Sequence, residues 1–323
     1  MKSNGAIEIR QEVACSTSEA LCMDCIDGLH LMADKSVACV VTSPPYNIGV
    51  RYSTHLNSRP DYLKWMKSVF VAIKRVLADD GHFFLQVGGT ATKPLIPWDV
   101  RSMALAAGFG LQNEIIWVKS ITVGDESLGH FKPINSHRYL NQTHEFVFHL
   151  TKTGNVRVDR LAVGVPYKDK SNITRFRRDK DLRCGGSVWF IPYETANKIK
   201  DRPNHPAMFP VALAERCIKL SGAPKGSLVV DPFVGSGTTL VACDRLGMNG
   251  LGFDIDKSYV DYANRGRPKR VNTELAAMII ERRLKVIQPG LQTVNIQESF
   301  RRLFLSNYYS SASYLGLHLV PQE

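Results

Sequence analysis

Residues 37–46 have the sequence Val-Ala-Cys-Val-Val-Thr-Ser-Pro-Pro-Tyr, an apolar run that stops at two prolines. A short run of apolar, largely β-branched residues predicts a buried strand of a parallel sheet. Pro44 and Pro45 have no backbone N–H groups, so they end the strand at its carboxyl end. Ligands bind at this end of open α/β sheets. We call residues Ser43 to Tyr46 the shelf. We predict that they form a rigid surface that carries a hydroxyl, carbonyl oxygens and an aromatic ring.

A second signal lies in residues 228–240, Leu-Val-Val-Asp-Pro-Phe-Val-Gly-Ser-Gly-Thr-Thr-Leu. We call residues 231–239 of this stretch the glycine turn. The apolar start predicts another buried strand, and Gly235 and Gly237 allow the backbone to turn sharply and to approach a ligand closely. A helix beginning near Thr238 would direct its free N–H groups and its positive dipole end at an anion in this turn.

Residues 250–256, Gly-Leu-Gly-Phe-Asp-Ile-Asp, predict a further short strand that ends in acids. An acid about twenty residues after a glycine turn is the usual partner of ribose hydroxyls, which favours Asp254, with Asp256 as the alternative. A Walker phosphate loop is excluded because no lysine stands in the glycine turn. A dinucleotide-binding fingerprint is incomplete because Leu240 occupies the third glycine position.

The shelf, the glycine turn and the acid after the next strand occur in this order along the chain. Together they resemble the β group of S-adenosylmethionine-dependent amino-methyltransferases of DNA, in which the shelf precedes the cofactor turn. Further stretches between residues 18 and 265 that fit the resemblance are Cys22–Leu29, Gly81–Gly89, Ile115–Lys119, Thr143–Phe148 and His205–Pro210.

The resemblance implies an α/β architecture, the Rossmann-like methyltransferase fold, with a mostly parallel seven-stranded sheet and a permuted order of motifs. The implied parts are a catalytic half at 1–154, an inserted target-recognition region at 155–204, a cofactor-binding half at 205–270 and a C-terminal extension without an assigned role at 271–323. Apolar residues at helical spacing predict the helices Asp61–Leu77, Val100–Ala107, Val211–Leu220 and Glu274–Val286.

Residue roles follow from the resemblance, position by position. The expected catalytic residues are Ser43, Pro44, Pro45 and Tyr46. The residues expected to hold S-adenosyl-L-methionine are Asp24, Phe209, Asp231, Pro232, Phe233, Gly235, Gly237, Thr238 and Asp254. His205 is expected to be structural because Pro206 flanks it in a cofactor-pocket segment. No metal is expected, because the C-x-x-C pair Cys22 and Cys25 has no second pair of ligands.

The expected chemistry is direct transfer of a methyl group to an exocyclic amino nitrogen. This nitrogen is a poor nucleophile because its lone pair is delocalised into the ring of the base. Acceptors at Ser43 Oγ and the Pro44 carbonyl would hold the N–H hydrogens and free that lone pair. The target base must leave the duplex to be reached, and we expect it to stack on Tyr46.

The net charge is +11, which suits a polyanionic partner such as double-stranded DNA. Residues 155–204 contain twelve lysines or arginines against six acids. The resemblance places target recognition there, although a basic insertion without this role is the alternative. The expected contacts to phosphates or base edges are Arg175, Arg177, Arg178 and Arg183.

The identity of the methylated base depends on the first shelf residue. Ser43 is similar to the cytosine-N4 enzymes of the family, as is the His-Pro-Ala-Met-Phe-Pro segment 205–210, whereas aspartate is commoner in adenine-N6 enzymes. We therefore expect a cytosine-N4 enzyme, with adenine-N6 as the alternative. Cytosine-C5 methylation is disfavoured because the chain has no Pro-Cys dipeptide. A non-catalytic DNA-binding protein on the same fold is the alternative from another class.

Seven cysteines scattered through predicted core elements suggest a reducing compartment, and no apolar run has membrane-spanning length. We expect a cytoplasmic protein of a bacterium or phage, monomeric or homodimeric. A cognate restriction endonuclease acting on the same site is the expected biological partner.

Overall fold

The computed structural model describes residues 17–46, 58–130, 133–192 and 209–265. The strands are β1 Ser18–Cys22, β2 Val37–Thr42, β3 Leu77–Val87, β4 Gly110–Val118, β5 Ser120–Val123, β6 Glu126–Gly129, β7 His144–Thr151, β8 Val188–Phe190, β9 Leu228–Asp231 and β10 Asn249–Asp254. The helices are α1 Cys25–Leu31, α2 Arg59–Val76, α3 Ile96–Ala106, α4 Ser171–Arg175, α5 Val211–Ser221, α6 Thr238–Leu246 and α7 Lys257–Ala263. All these elements belong to one compact unit, Met1–Lys269.

Eight of the described strands form one sheet in the order β1-β10-β9-β2-β3-β7-β4-β8, and β5 pairs with β6 in a separate hairpin. Only β7 runs antiparallel to its neighbours in this sheet. The predicted fold, a mostly parallel sheet with helices between its strands, is confirmed. The sheet has eight strands where seven were predicted, and the short strands β1 and β8 lie at its two edges.

β8 belongs to the basic segment 155–204 and nevertheless pairs in parallel with β4. Trp189 explains this, because its side chain is buried in the core and its indole N–H donates to the Gly186 carbonyl at 3.0 Å. Part of the predicted target-recognition region therefore belongs to the eight-stranded sheet. The expected role of the rest of that region stays a prediction.

The predicted helices Asp61–Leu77, Val100–Ala107 and Val211–Leu220 are confirmed as α2, α3 and α5, with small differences at their ends. α2 begins two residues early because Ser58 caps it, accepting a hydrogen bond from the backbone N–H of Asp61 at 3.2 Å. The predicted helix Glu274–Val286 and the rest of the expected C-terminal extension lie outside the described residues. Among the described helices, none is long and apolar enough to cross a membrane.

The shelf and the glycine turn lie at the same end of the sheet, where its parallel strands have their carboxyl ends. We call this end the carboxyl edge. β2 and β9 pair in parallel, with Val40 opposite Val230, so their carboxyl ends lie side by side. β3 also ends at this edge, and antiparallel β7 begins there. Strands from both halves of the chain, among the described residues, therefore end or begin at this carboxyl edge.

Candidate active site at the carboxyl edge of the sheet

The shelf leaves β2 at Ser43 and is held from the side by helix α2. The Tyr62 hydroxyl donates to the Pro45 carbonyl at 2.7 Å, so one shelf carbonyl is already engaged by the protein. One turn along α2, Trp65 meets the ring of Phe233 edge-on, with 5.6 Å between the ring centres. Helix α2 therefore packs against both the shelf and the glycine turn.

Tyr46 lies almost wholly inside the protein, with 5% of its surface exposed. Its hydroxyl lies 3.0 Å from Ser43 Oγ and donates to Gln86 Oε1 at 2.8 Å. Burial, followed by the nearby carboxylate of Glu145, raises the pKa of Tyr46 well above its ordinary value, so the phenol stays protonated. The target base is expected to stack on this ring, of which the structure leaves only a small part exposed.

Beneath Tyr46 lies a carboxylate that the sequence did not single out. Glu145, at the start of β7, accepts a hydrogen bond from the Gln86 side-chain amide and forms an ion pair with Lys119 at 2.8 Å. Gly88 makes room for this carboxyl group, because a Cβ atom at position 88 would come within 2.7 Å of Glu145 Cδ. The only available sequence signal was the presence of polar residues at the ends of otherwise apolar strands.

The glycine turn joins β9 to α6. Gly235 and Gly237 have φ angles of 48° and 84°, in the left-handed region that side chains disfavour. Gly237 is the N-cap of α6 and has no side chain, so the cap residue supplies no acceptor to the first N–H groups of the helix. A Cβ at Gly237 would also lie 2.8 Å from the Cβ of Ala263. This helix start is suited to an anion.

Asp231 is expected to help hold the cofactor, and in the structure both of its carboxylate oxygens accept hydrogen bonds from the protein itself. Oδ1 accepts from Thr42 Oγ1 at 2.5 Å and from the Phe233 N–H at 3.0 Å, and Oδ2 accepts from Thr239 Oγ1 at 2.6 Å. Burial raises the pKa of Asp231 to about 6, and the hydrogen bonds from Thr239 and Thr42 oppose the rise. In the structure, Asp231 holds the glycine turn against the strand that carries the shelf.

Asp254 ends β10 beside the glycine turn. Its carboxylate accepts from the Gly235 N–H at 3.1 Å and from the Asp256 N–H at 2.9 Å, and burial raises its pKa. Asp256 instead caps α7 through the N–H of Ser258 at 2.8 Å. Of the two acids considered for a ribose, Asp254 is therefore the one placed at the turn.

Asp24 lies at the same edge as Asp254, since the Met23 N–H bonds the Asp254 carbonyl at 2.9 Å. Asp24 caps α1, accepting from the N–H of Ile26 at 2.8 Å.

Phe209 is 8% exposed and packs in the core cluster that contains Trp189, away from solvent. Pro232 and Thr238 are buried in the glycine turn, and Phe233 is half-buried there.

The four arginines expected to contact DNA lie apart from these buried groups. Arg175, Arg177, Arg178 and Arg183 are all exposed. Arg183 also forms an isolated bridge with Val165, which holds the backbone of this segment in place. Within the described ranges, no ion pair joins any of the four to an acid, so their charges are available to a partner. His205 lies outside the described residues.

Comparisons with known proteins point to DNA methyltransferases. A family model described as DNA methylase, covering N6 and N4 methyltransferases, matches residues 37–265. Type II methyltransferase M.BglII of Bacillus subtilis is 29% identical over 74% of this chain and 66% of its own length. M.ScaI of Streptomyces caespitosus is 29% identical over 74% of this chain and 78% of its own length.

Solved structures show the same fold. The PvuII DNA methyltransferase, which is cytosine-N4-specific, aligns over 83% of this chain and 93% of its own, with a TM-score of 0.60 and 21% identity. A candidate DNA modification methylase of Thermus thermophilus, TTHA0409, aligns over 79% of this chain and 97% of its own, with a TM-score of 0.54 and 25% identity.

Proposed function

This chain belongs to the DNA methylase family of N6 and N4 amino-methyltransferases, and we propose that it methylates the N4 amino group of cytosine within a specific site of duplex DNA. The observation that carries the proposal is the meeting of the shelf and the glycine turn at one sheet edge. Thr42, the residue before Ser43, bonds Asp231, the first residue of the glycine turn, at 2.5 Å. The proposed acceptors for an amino group and the proposed cofactor site therefore lie at the ends of adjacent strands.

The residues of the glycine turn suit S-adenosyl-L-methionine. The start of α6 lacks a side-chain cap and offers N–H groups to the carboxylate of the methionine portion. Asp254, half-buried at the end of the next strand, offers acceptor lone pairs to the ribose hydroxyls. When bound, this cofactor would supply an electrophilic methyl group: a nitrogen–carbon bond would form as the methyl–sulfur bond breaks and leaves a thioether, and the methylated nitrogen would release one proton to solvent. Asp24 and Phe233 complete the predicted pocket.

On the shelf, two acceptors act on the amino group. Ser43 Oγ and the Pro44 carbonyl would accept its two N–H hydrogens, which favours a tetrahedral nitrogen with a free lone pair. The Pro45 carbonyl is already bonded to Tyr62 at 2.7 Å, which stiffens the shelf. Positioning of the nitrogen then supplies most of the rate acceleration, and no covalent link to the protein is needed.

The base must be flipped out of the duplex to reach the shelf at the carboxyl edge of the sheet. We propose that it contacts the small accessible part of Tyr46 as it enters. Contacts to the phosphates fall to the exposed arginines Arg175, Arg177, Arg178 and Arg183. These charges have no acid partner within the described ranges, which supports their availability to a polyanion.

The choice of cytosine N4 over adenine N6 rests on Ser43. A serine hydroxyl is a neutral acceptor. A serine at the first position of the shelf makes this chain similar to the cytosine-N4 enzymes of the family. Because the relatives reported above include type II methyltransferases, we further propose that the protein protects DNA against a restriction endonuclease of the same specificity.

Nucleoside mass spectrometry tests the proposal directly. Unmethylated DNA is incubated with the purified protein and S-adenosylmethionine, digested to nucleosides and analysed. N4-methylcytosine is the expected product. N6-methyladenine would overturn the base assignment and leave the amino-methyltransferase activity standing. Absence of both methylated bases, with cofactor binding also absent by calorimetry, would favour a DNA-binding protein without catalysis.

A further inference from the structure

We propose that Lys119, Glu145 and Gln86 are positioning residues that fix the direction of the hydrogen bonds leading to Ser43. The inference rests on the proposed function, in which Ser43 Oγ accepts a hydrogen bond from the target amino group. A serine hydroxyl can either donate or accept, so the enzyme needs a way to set its direction. The buried side chains beneath the shelf provide one.

The direction is set at Glu145. Lys119 Nζ donates to Oε1 at 2.8 Å, and the Gln86 side-chain amide faces Oε2. An ammonium group only donates and an ionised carboxylate only accepts. Gln86 must therefore turn its NH₂ group toward Glu145, which leaves its carbonyl oxygen on the opposite side, facing Tyr46.

The same logic continues to the shelf. Gln86 Oε1 only accepts, so the Tyr46 hydroxyl donates to it across 2.8 Å, with Glu145 Oε2 as a second and more distant acceptor at 3.4 Å. The phenol oxygen then accepts from Ser43 Oγ–H across 3.0 Å. The Ser43 proton points into the protein, and the lone pairs of Oγ remain for the substrate. In the reverse direction Ser43 would donate to the amino nitrogen and occupy the lone pair that must react.

Burial makes this direction persistent. Gln86 is 3% exposed and Tyr46 is 5% exposed, so bulk water has little access to either group. The side chains of Lys119 and Glu145 are 16% and 19% exposed, and the carboxyl group of Glu145 lies against Gly88. In such surroundings, reversing the direction leaves polar groups unsatisfied, which is costly.

The first variant is Glu145→Gln, which replaces an obligate acceptor with an amide that can donate or accept. Because Lys119 only donates, the new amide turns its oxygen to Lys119 and its NH₂ group to Gln86, so Gln86 must turn over and the Ser43 proton no longer points into the protein. We expect kcat to fall by about tenfold to a hundredfold, with unchanged affinity for S-adenosylmethionine. The matched control is Glu215→Gln. Glu215 has a side chain 20% exposed and an ion pair with Arg245 at 3.2 Å, and it lies on α5 outside the site.

The second variant separates direction from simple structural support. In Gln86→Glu with Glu145→Gln, the new carboxylate at position 86 can only accept, so Tyr46 must again donate. The new amide at position 145 donates to that carboxylate and accepts from Lys119. We expect this double variant to recover kcat to within about fivefold of the wild type. Gln86→Glu alone places two carboxylates together and is expected to stay impaired.

The readouts are kcat on unmethylated DNA, cofactor affinity by calorimetry and the melting temperature. Wild-type-like kcat in Glu145→Gln overturns the inference. A double variant no more active than Gln86→Glu overturns it too, and this comparison holds even where Glu145→Gln fails to fold. A wild-type protein that methylates no base overturns the proposed function instead, so the two failures are distinguishable.

Discussion

The side-chain hydroxyl of Thr42 lies 2.5 Å from Oδ1 of Asp231, and the hydroxyl is fully buried. The two residues are 189 positions apart in the chain, at the ends of adjacent parallel strands. This bond joins the last residue before the shelf to the first residue of the glycine turn. A methyl donor and an acceptor base must be aligned closely for transfer, so the bond fixes a distance on which the proposed reaction depends.

Replacing Thr42 with valine tests this connection. Valine has nearly the same shape but no hydroxyl, so the buried Oδ1 of Asp231 loses one of its two donors and keeps only the Phe233 N–H. We expect the free energy of unfolding to fall by about 1–3 kcal/mol and kcat to fall with it. Urea denaturation and turnover on DNA measure the two effects. The control is Thr122→Val, which removes an exposed bond to Ser127 at 2.8 Å and should change neither quantity. Equal effects of the two substitutions would contradict the prediction.

Asp231 should make stability decrease as pH rises. Burial raises its pKa to about 6 in the folded protein, against an ordinary 3.8. Between about pH 4 and 6 the folded protein therefore holds a proton that the unfolded chain has released. This contribution is fully present below pH 4 and is lost as pH rises through 6, with a slope of at most about 1.4 kcal/mol per pH unit.

Asp231→Asn should remove that part of the pH dependence. Denaturant titrations between pH 4 and 7 measure it, with Asp79→Asn as the control. The pKa of Asp79 is lowered, mainly by its hydrogen bonds to Lys35 and Lys152. Its contribution to stability is therefore lost as the pH falls, which is the opposite of the dependence expected from Asp231. A wild-type slope that persists in Asp231→Asn would assign the pH dependence to another group.

Asp254 and Asp256 should separate cofactor binding from helix capping. Asp254→Ala removes the proposed ribose acceptor and the bond to the Gly235 N–H, so we expect the Kd for S-adenosylmethionine to rise by about tenfold to a hundredfold. Asp256→Ala removes the cap of α7 and should cost about 1 kcal/mol of stability with little change in Kd. Calorimetry and thermal melting distinguish these effects. The reverse pattern would move the ribose contact to Asp256.

The sequence predicted those strands and helices whose pattern lies in residues close together along the chain. Apolar runs ending in proline or glycine located β2 and β9, and helical spacing located α2 and α5. The eighth strand was not predicted because β8 is three residues long and lies in a polar segment, where burial of Trp189 decides the pairing.

The site was predictable to the same extent. The shelf and the glycine turn are contiguous motifs, and the structure places them at the ends of the adjacent strands β2 and β9. The residues beneath the shelf were not predicted, because Gln86 and Glu145 are 59 positions apart and meet only through the pairing of β3 with β7. The role of Asp231 depends in the same way on Thr42, a partner that only the folded sheet supplies.

The exposed arginines should account for part of the electrostatic affinity for DNA. Arg177 and Arg178 are adjacent, exposed and without an ion pair to any acid in the described ranges. Replacing both with glutamine should weaken binding and reduce the magnitude of the slope of log K against log salt by about 0.9 for each lost phosphate contact. Fluorescence anisotropy with a duplex at several salt concentrations measures this slope.

The matched control is Lys64→Gln with Lys67→Gln, which removes two exposed charges from α2 and should leave the slope unchanged. Parallel losses in both pairs would mean that DNA responds only to net charge, because phosphate contacts at a defined surface must depend on which charges are removed. A reduced slope in the arginine pair alone would place the DNA backbone at residues 177 and 178. If the loss of affinity were then equal for all DNA sequences, these arginines would contact phosphates; if it were confined to the methylated site, they would contact base edges.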